Sequence, residues 1–356
     1  MRTLIKNLLL IFCLCSICQA AQVIRYVDPD APGPAHDGTS WNDAYLSLST
    51  WEAAEQTNLD AANNYMTVYC RSSAGTNDAT PCTINGFTTS VDDYIEIIGT
   101  DFPADGLWDD SAYILENASA AYALAISDLN VTVRNLQVLF TRDGTNARSG
   151  IHVGSANTTL DSLILKADGV ESGTNKYNVG VYINVGNAKV YNCLIYGLWA
   201  THTWEGLGFY CNYGVAPAIL NCTVEGTVGG TSFIRYYNCN PVITNCANVN
   251  SGSFAVGAIG APDIDNCIST TNTGTNPQAP VDTDWDNEFT NIAGGDFSLV
   301  AGGNCIGNGL DDPSSGLYLD DIIGTVRNST WDIGAFELAG AAPPAAGGQL
   351  IMIQEF

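Results

Sequence analysis

Carboxylates are considered first, because polysaccharide hydrolysis uses one acidic side chain as an acid and another as a base. Four adjacent aspartate pairs occur in the chain, at 92–93, 109–110, 311–312 and 320–321. Neighbouring residues of a strand point to opposite faces, so such a pair is typical of a turn or of the end of a repeat. The pairs alone therefore do not indicate an active site.

A second candidate is a row of polar and aromatic side chains that follows a sequence repeat. Its members stand eleven residues before successive equivalent positions of that repeat: His152, Tyr182, Cys211, Arg235 and Val256. If they face outward, Asp143 and Arg142 would line the same side of the molecule. Such a row could grip a sugar chain, although half of it could equally point inward.

A third candidate is the segment GLWATHTWEGLGFYCNY at 197–213. Aromatic side chains are enriched at recognition surfaces, and they stack on sugar rings while Glu or His bonds hydroxyl groups. We predict glycan contacts for these residues and for two members of the row: Trp199, Trp204, Tyr210, Tyr213, His152 and Tyr182. The candidate catalytic residues are Asp143, Glu205, His202 and Arg235. The alternative is a loop folded back on its own aromatic side chains.

Other chemistry finds little support in the sequence. The three histidines, His36, His152 and His202, are far apart, and no catalytic Ser-His-Asp order, zinc motif, Walker loop or dinucleotide fingerprint occurs. We predict no metal site and no cofactor, with a bridging Ca²⁺ ion left open. Sequons that glycosylation could use stand at Asn117, Asn130, Asn157 and Asn328.

The elements that position these residues follow from the repeated pair Asn-Cys. It occurs as Asn192-Cys193, Asn221-Cys222, Asn245-Cys246 and Asn266-Cys267, and two earlier copies carry Leu136 and Leu163 at the cysteine position, here called the pivot. An aliphatic residue stands three positions before each pivot: Val133, Leu160, Val190, Ile219, Ile243 and Ile264. A β-rich repeat of 20–30 residues and uneven length is typical of a solenoid.

The repeat predicts a parallel β-helix in which each copy forms one coil. A separation of three breaks strand alternation, so a bend must lie between the aliphatic residue and the pivot. Asn suits that bend because it tolerates the left-handed conformation. We predict that Asn192, Asn221, Asn245 and Asn266 stack as a hydrogen-bonded ladder. The pivot cysteines Cys193, Cys222, Cys246 and Cys267 would pack as small buried residues without disulfides.

Composition and the first residues indicate a secreted, acidic protein. The 356-residue chain has a formal net charge of −25, which excludes nucleic-acid binding because basic residues are needed to displace counterions. Residues 1–20 combine a basic start, an apolar run and small residues at a cleavage site, so we predict a signal peptide. Of the cysteines that remain, Cys70 and Cys82 bracket a polar loop and are predicted to form a disulfide.

Both ends of the chain resemble secreted right-handed parallel β-helix repeat proteins. The resemblance lies in YVDPDAPGPAHDGTSWNDAYLSLSTWEAA at 26–54 and DDIIGTVRNSTWDIGAFE at 320–337. That family includes bacterial surface proteins, phage-like fibre proteins and polysaccharide-active enzymes, so the resemblance implies the fold and leaves the function open. These end motifs are expected to build the terminal coils, with a capping helix at 49–63 that starts with a capping box of Ser49 and Glu52.

We therefore expect an all-β fold, a right-handed parallel β-helix with a short N-terminal capping helix. The predicted divisions are a signal peptide at 1–20, an N-terminal strand and capping helix at 21–65, the β-helix at 66–338, and a linker with a strand-like tail at 339–356. The expected function is extracellular structure or adhesion, through glycan contacts or self-association by the tail. The alternative is a polysaccharide lyase or glycoside hydrolase with a groove on one face.

Overall fold

The computed structural model describes residues 20–117, 120–141, 148–168, 178–184, 187–198, 206–212, 214, 216–226, 231–251, 253–257, 259–270 and 285–338. Most of the regular structure is short β-strands, which are numbered here in chain order. Between residues 95 and 269 the chain visits three sheets in turn and then returns to the first, so that equivalent strands of successive coils lie side by side. Every strand pair within these three sheets is parallel.

The first sheet has nine strands and includes the first strand of the fold. In spatial order they are β1 (Ala21–Val27), β2 (Asn64–Cys70), β4 (Ile95–Gly99), β7 (Val131–Arg134), β10 (Thr159–Asp161), β13 (Lys189–Tyr191), β16 (Ala218–Leu220), β19 (Val242–Thr244) and β22 (Asp263–Asp265).

The second and third sheets have seven strands each. The second contains β5 (Ile114–Glu116), β8 (Gln137–Thr141), β11 (Ile164–Asp168), β14 (Leu194–Leu198), β17 (Thr223–Gly226), β20 (Ala247–Val249) and β23 (Ile268–Ser269). The third contains β3 (Cys82–Ile84), β6 (Tyr122–Ile126), β9 (Arg148–Val153), β12 (Asn178–Ile183), β15 (Gly206–Asn212), β18 (Thr231–Tyr237) and β21 (Ser253–Gly257). The chain is therefore a right-handed parallel β-helix protein, as the repeat predicts.

The register follows the repeat alignment. On the first sheet the six aliphatic positions, from Val133 to Ile264, pair directly with one another. The pivots Leu136, Leu163, Cys193, Cys222, Cys246 and Cys267 are all buried between the first two sheets. Similar apolar side chains lie over one another in each coil and form one long core, because in-register parallel strands place equivalent residues side by side.

The bend before each pivot is left-handed, as the asparagines predict. Asn192, Asn221, Asn245 and Asn266 have φ between +48° and +55°, and the equivalent Asn135 and Ser162 share this conformation. Backbone amides at these bends bond carbonyl groups of the next coil, as Asn192 N does with Leu220 O at 3.2 Å. Asparagine is favoured here because its short polar side chain tolerates positive φ better than other side chains with a Cβ.

The four asparagines Asn192, Asn221, Asn245 and Asn266 are called the asparagine row here. Their side-chain amides do not form the predicted ladder. They bond instead to the backbone and side chains of residues 308–338, called the strap here, which runs back along the corner. Asn266 Nδ2 donates to Asn308 O at 3.2 Å, and Asn245 exchanges two bonds with Leu310, at 2.8 and 2.6 Å. Tyr318 Oη donates to Asn221 Oδ1 at 2.9 Å. The row thus supplies partners for strap backbone groups such as Leu310 N and O, while other strap backbone groups bond within the strap.

The strap ends in a buried ionic cluster. Arg327 and Glu337 form an ion pair at 3.3 Å between Nη1 and Oε2, with both side chains fully buried. Arg327 Nη2 also donates to Asn192 Oδ1 at 2.9 Å. Burial raises the pKa of Asp321, Asp332 and Glu337, while backbone N–H groups and Arg327 oppose the shift. The segment at 320–337 therefore clamps the side of the coils and does not build a terminal coil. Among the described residues the last strand of the three parallel sheets ends at Ser269 and not near 338.

The N-terminal cap is close to the prediction. Two helices, α1 (Leu48–Glu55) and α2 (Leu59–Ala62), stand where one was predicted at 49–63, and α1 begins one residue earlier than predicted. The N-cap of α1 is Ser47 and not Ser49, and its side chain accepts from Thr50 N. Trp51 is fully buried and stacks on Phe87, with ring centroids 5.6 Å apart. The cap thus covers core residues at the end of the first coils.

The predicted disulfide between Cys70 and Cys82 is not formed. Both residues are free, buried thiols, one on β2 and the other on β3, where their side chains belong to the apolar core. Burial raises the pKa of both thiols well above the ordinary value. They occupy inward positions that hold aliphatic residues in other coils, so packing explains their presence. No helix among the described residues is long and apolar enough to span a membrane.

Candidate functional site

The predicted polar row lies on the outer face of the third sheet. His152 pairs with Tyr182, Tyr182 with Tyr210, and Tyr210 with Arg235 in successive coils. Tyr122 extends the stack, with its ring 4.6 Å from that of His152, and the next two centroid distances are 5.0 and 5.1 Å. The guanidinium carbon of Arg235 lies 5.5 Å from the Tyr210 ring centroid.

The prediction that Cys211 belongs to this row is wrong. Cys211 faces the interior and is fully buried, and Tyr210 takes the outward position. The reason is coil length, because twelve residues separate Tyr210 from its pivot Cys222, whereas eleven separate Tyr182 from Cys193. One extra residue moves every side chain of a strand to the opposite face.

The stack changes what the row can do. A sugar ring binds an aromatic side chain on its face, but here those faces are covered by the neighbouring rings at about 5 Å. Only ring edges and polar tips reach the surface. Burial lowers the pKa of His152, and a hydrogen bond with Asn184 opposes that shift. The row therefore stiffens the third sheet, and glycan contact through its edges stays a prediction.

The remaining candidates for binding or catalysis lie outside the described residues. They are Arg142, Asp143, Trp199, His202, Trp204, Glu205 and Tyr213. Residues 1–19 and the tail 339–356 also lie outside. Their predicted roles stay predictions.

A groove of about 740 Å³ crosses the outer face of the second sheet. Lys166, Tyr196 and Glu225 line it from β11, β14 and β17, because each is the outward neighbour of an inward residue of its strand. One wall carries Trp108 and Asp110, and the opposite wall is residues 285–295.

The second wall is held by apolar packing on the same sheet. Residues 285–299 form two 3₁₀ turns (Trp285–Asn287 and Ile292–Gly294) and an antiparallel hairpin of β24 (Phe289–Asn291) and β25 (Asp296–Leu299). Phe289 and Phe297 are buried in a cluster that includes Ile164 and Leu194 of the sheet. The Phe297 ring centroid lies 5.6 Å from that of Tyr196, so the wall and the floor are in direct contact.

Polar groups converge in the groove. Trp108 Nε1 donates to Asp110 Oδ1 at 2.7 Å, and Lys166 Nζ lies 5.0 Å from the Trp108 ring centroid. Gly197 N donates to Glu225 Oε2 at 2.9 Å. Gly197 has φ +72°, a left-handed conformation that aims its N–H at the carboxylate and that glycine adopts without strain.

Two of these groups have shifted pKa values. Burial raises the pKa of Glu225, and the Gly197 N–H opposes this shift only in part. Burial also raises the pKa of the Tyr196 hydroxyl well above its ordinary value, with further contributions from Asp110 and Glu225. Asp110 and Glu225 thus both raise this pKa, and both line the groove.

Trp285 contributes a hydrogen-bond donor that the protein does not use. Its side chain is 3% exposed and lines the groove, yet Nε1 has no hydrogen-bond partner among the described residues. An unpaired buried donor costs about 1–3 kcal/mol, and no described residue offsets that cost at Trp285.

A metal site has no support in the described part of the chain. No group of three or more His, Cys, Asp or Glu side chains is arranged there to hold an ion. The carboxylates of the groove are spread among hydrogen-bond donors and a lysine instead. Acid–base or binding chemistry is what the side chains of the groove can supply.

The sequence carried a partial signal for this site. Lys166, Tyr196 and Glu225 each stand three residues after a pivot, a polar row that the repeat alignment would have revealed. Asp110 belongs to one of the four aspartate pairs, whose spacing alone does not separate it from the others. Trp285 lies beyond the repeat, and only the fold brings it to the groove.

Comparison with known proteins gives structural likeness alone. No protein-family model and no curated protein matches the chain. Among solved structures, a rhamnogalacturonan lyase is similar with a TM-score of 0.48 and 14% identity, covering 69% of this chain and 67% of the lyase. The pectate lyase Pel9A is similar with a TM-score of 0.33 and 14% identity, covering 89% of this chain and 96% of that enzyme. Neither similarity is high enough to transfer an activity to this chain.

Proposed function

We propose that the chain is a carbohydrate-binding protein that holds a glycan in the groove over its second sheet. The observation that carries this proposal is the buried Nε1 of Trp285, for which no described residue supplies a partner, on a side chain that lines the groove. In this proposal a sugar hydroxyl reaches Nε1 from the groove and accepts its hydrogen bond. The Trp108 ring and the carboxylates supply the mixed aromatic and polar lining that suits a hydroxyl-rich ring.

The charge of the groove favours a neutral glycan. Asp110, Glu225 and Asp286 line it together with a single cation, Lys166. The three carboxylates outnumber the lysine, and the acidic balance of the chain as a whole, −25, also repels polyanions. Elimination by a lyase requires a uronate carboxylate and positive groups that neutralise it, so the lining fits hydrolysis better than elimination.

Hydrolysis of the bound glycan is the second candidate function. Glycosidases pair a carboxylic acid of raised pKa with a second, ionised carboxylate. Glu225 has the raised pKa, and Asp110 acts on the same Tyr196 hydroxyl. In this proposal Glu225 protonates the leaving oxygen, and Asp110 acts as the base or the nucleophile.

A structural or adhesive role is compatible with glycan binding. The stacked rings on the third sheet and the clamped strap support a stiff rod. Self-association through residues 339–356 has no support among the described residues and stays a prediction.

Binding is tested with the Trp285→Phe variant, which keeps an aromatic ring but removes the N–H group. Isothermal titration against a panel of neutral polysaccharides and their oligosaccharides should show about tenfold weaker binding than the unchanged chain, equivalent to one lost hydrogen bond. Trp51→Phe is the matched control, because Trp51 Nε1 is also buried and unpaired but lies in the N-terminal cap. The absence of binding to any glycan, or equal loss in both variants, would refute the proposal.

Hydrolysis has a separate test. If reducing ends appear when the chain is incubated with a bound glycan, Glu225→Gln should remove that activity at least a hundredfold while leaving the affinity within a few-fold. Glu116→Gln is the control, because Glu116 lies on the same sheet but does not line the groove. Binding without any turnover would refute the proposal of hydrolysis and support a protein that only binds glycans.

A further inference from the structure

A fifth Asn-Cys pair, Asn238-Cys239, lies at a different corner of the β-helix. It follows β18, and Asn238 has φ +51°, the same left-handed bend as the asparagine row. The bend turns Cys239 inward, and its side chain is buried. There it meets Cys211, the inward residue of the neighbouring strand β15.

The two thiols are close to each other. Cys239 Sγ donates to the carbonyl oxygen of Cys211 at 3.2 Å, and the two thiols are also within hydrogen-bonding reach of each other. They are not an in-register pair, because Cys211 lies opposite Tyr236 and Cys239 reaches back from beyond the bend. In-register cysteines on parallel strands have parallel side chains, a geometry poorly suited to a disulfide.

The pivot cysteines provide the contrast. Cys222 and Cys246 occupy equivalent corner positions in successive coils, and the backbone N of Cys222 lies 3.5 Å from Cys246 Sγ. Their thiols donate to backbone carbonyls of their own and the preceding coil. The pivot thiols are also within hydrogen-bonding reach of their neighbours. They are in register, however, so their side chains run parallel and are poorly placed for a disulfide.

The two thiols also differ in acidity. The hydrogen bond from Cys211 lowers the pKa of Cys239, while burial raises the pKa of Cys211 well above the ordinary value. A thiolate is the attacking species in thiol–disulfide exchange. Cys239 is therefore the better nucleophile of the pair, and Cys211 is placed to attack next.

We propose that Cys211 and Cys239 form a disulfide when the chain folds in the presence of an exchangeable disulfide, such as oxidised glutathione or the protein disulfide that oxidises the bacterial periplasm. The steps are written here for glutathione. The Cys239 thiolate attacks one sulfur of glutathione disulfide, and one glutathione leaves as its thiolate. The Cys211 thiol then loses its proton and attacks Cys239 Sγ, which expels the second glutathione. The protein loses two electrons and two protons, and one glutathione disulfide becomes two glutathione molecules. The other seven cysteines outside the predicted signal peptide stay reduced.

The experiment compares the full chain exported to an oxidising bacterial periplasm with the same chain kept in a reducing cytoplasm. Export lets the bond form during folding, so burial of the thiols in the final structure does not block it. Free thiols are alkylated in denaturant, counted by mass spectrometry and mapped by peptide digestion. The nine cysteines at 70–305 should give seven free thiols after export and nine from the cytoplasm.

Two variants make the result specific. Cys239→Ser should keep all eight of its remaining thiols free after export, whereas Cys267→Ser, which removes a pivot cysteine, should still lose two. A linked peptide that joins residues 211 and 239 supports the proposal. Nine free thiols after export, or a bond that joins Cys70 to Cys82 or two pivot cysteines instead, would overturn it.

Discussion

The contact between Asn245 and the strap gives a prediction that can be worked out from the structure. Asn245 is fully buried, and its amide exchanges two hydrogen bonds with the backbone of Leu310, at 2.6 and 2.8 Å. Asn245→Ala removes both bonds and also places alanine at φ +55°. Asn245→Gly removes the same bonds but adopts this φ without strain, so it is the matched control.

The expected loss combines two effects. Each lost bond lowers the free energy of unfolding by about 1 kcal/mol, with more where Leu310 is left unpaired and less where water reaches it, so we take about 2 kcal/mol for the pair. Alanine in the left-handed region adds about 1 kcal/mol. We therefore expect Asn245→Ala to lower the free energy of unfolding by about 3 kcal/mol and Asn245→Gly by about 2 kcal/mol.

Guanidinium unfolding followed by tryptophan fluorescence measures both values, and hydrogen exchange at the Leu310 amide should speed up in both variants. If the glycine variant were as stable as the unchanged chain, the side-chain bonds to the strap would contribute nothing. If the alanine variant lost less than about 0.5 kcal/mol, neither the bonds nor the bend would matter as argued.

Three further outcomes are expected. Arg327→Met leaves Glu337 buried without its partner, so guanidinium unfolding should show a loss of about 3–5 kcal/mol, most of it recovered when Glu337 is also replaced by Met. The buried carboxyls of the strap have raised pKa values. At pH values between the ordinary and the raised pKa, the folded state therefore binds more protons than the unfolded state. Their contribution to stability is thus fully present below the ordinary carboxyl pKa and is lost as pH rises through the raised values. Glu337→Gln removes one of these carboxyls and keeps Arg327, so a guanidinium midpoint series at increasing pH in which this variant lost more stability than the unchanged chain would contradict the argument. Tyr182 stacks on a ring at each face, so Tyr182→Ala should lower the thermal midpoint about twice as far as Tyr122→Ala, whose ring contacts one neighbour of the stack.

Much of the fold could be predicted because a β-helix is a local structure. Each coil pairs with the next, so the spacing of Val190, Asn192 and Cys193 already contains the strand, the bend and the buried pivot. The same locality explains the error at Cys211. A repeat predicts which side chains of a strand point inward only while the coil length is constant. At Cys211 one inserted residue reverses the inward and outward positions.

The partners of the asparagine row and the walls of the groove could not be predicted in this way. The strap residue that bonds Asn245 lies 65 positions further along the chain, and no repeat connects the two. The groove likewise joins a floor built by the repeat to walls from residues 108–110 and 285–295, which belong to no strand of the three parallel sheets. The pattern therefore predicts which side chains of the sheet point outward. Only the tertiary structure shows which segments of the chain pack against them.

The antiparallel course of the strap has a consequence for biosynthesis. Its bonds to the asparagine row cross 42 residues at Asn266 and 135 at Asn192, so a segment made late returns to coils that emerged much earlier. The coils can form one after another during synthesis, but the corner amides do not receive their strap partners until residues 308–338 have emerged. A polypeptide that stopped before the strap would expose this edge to proteases.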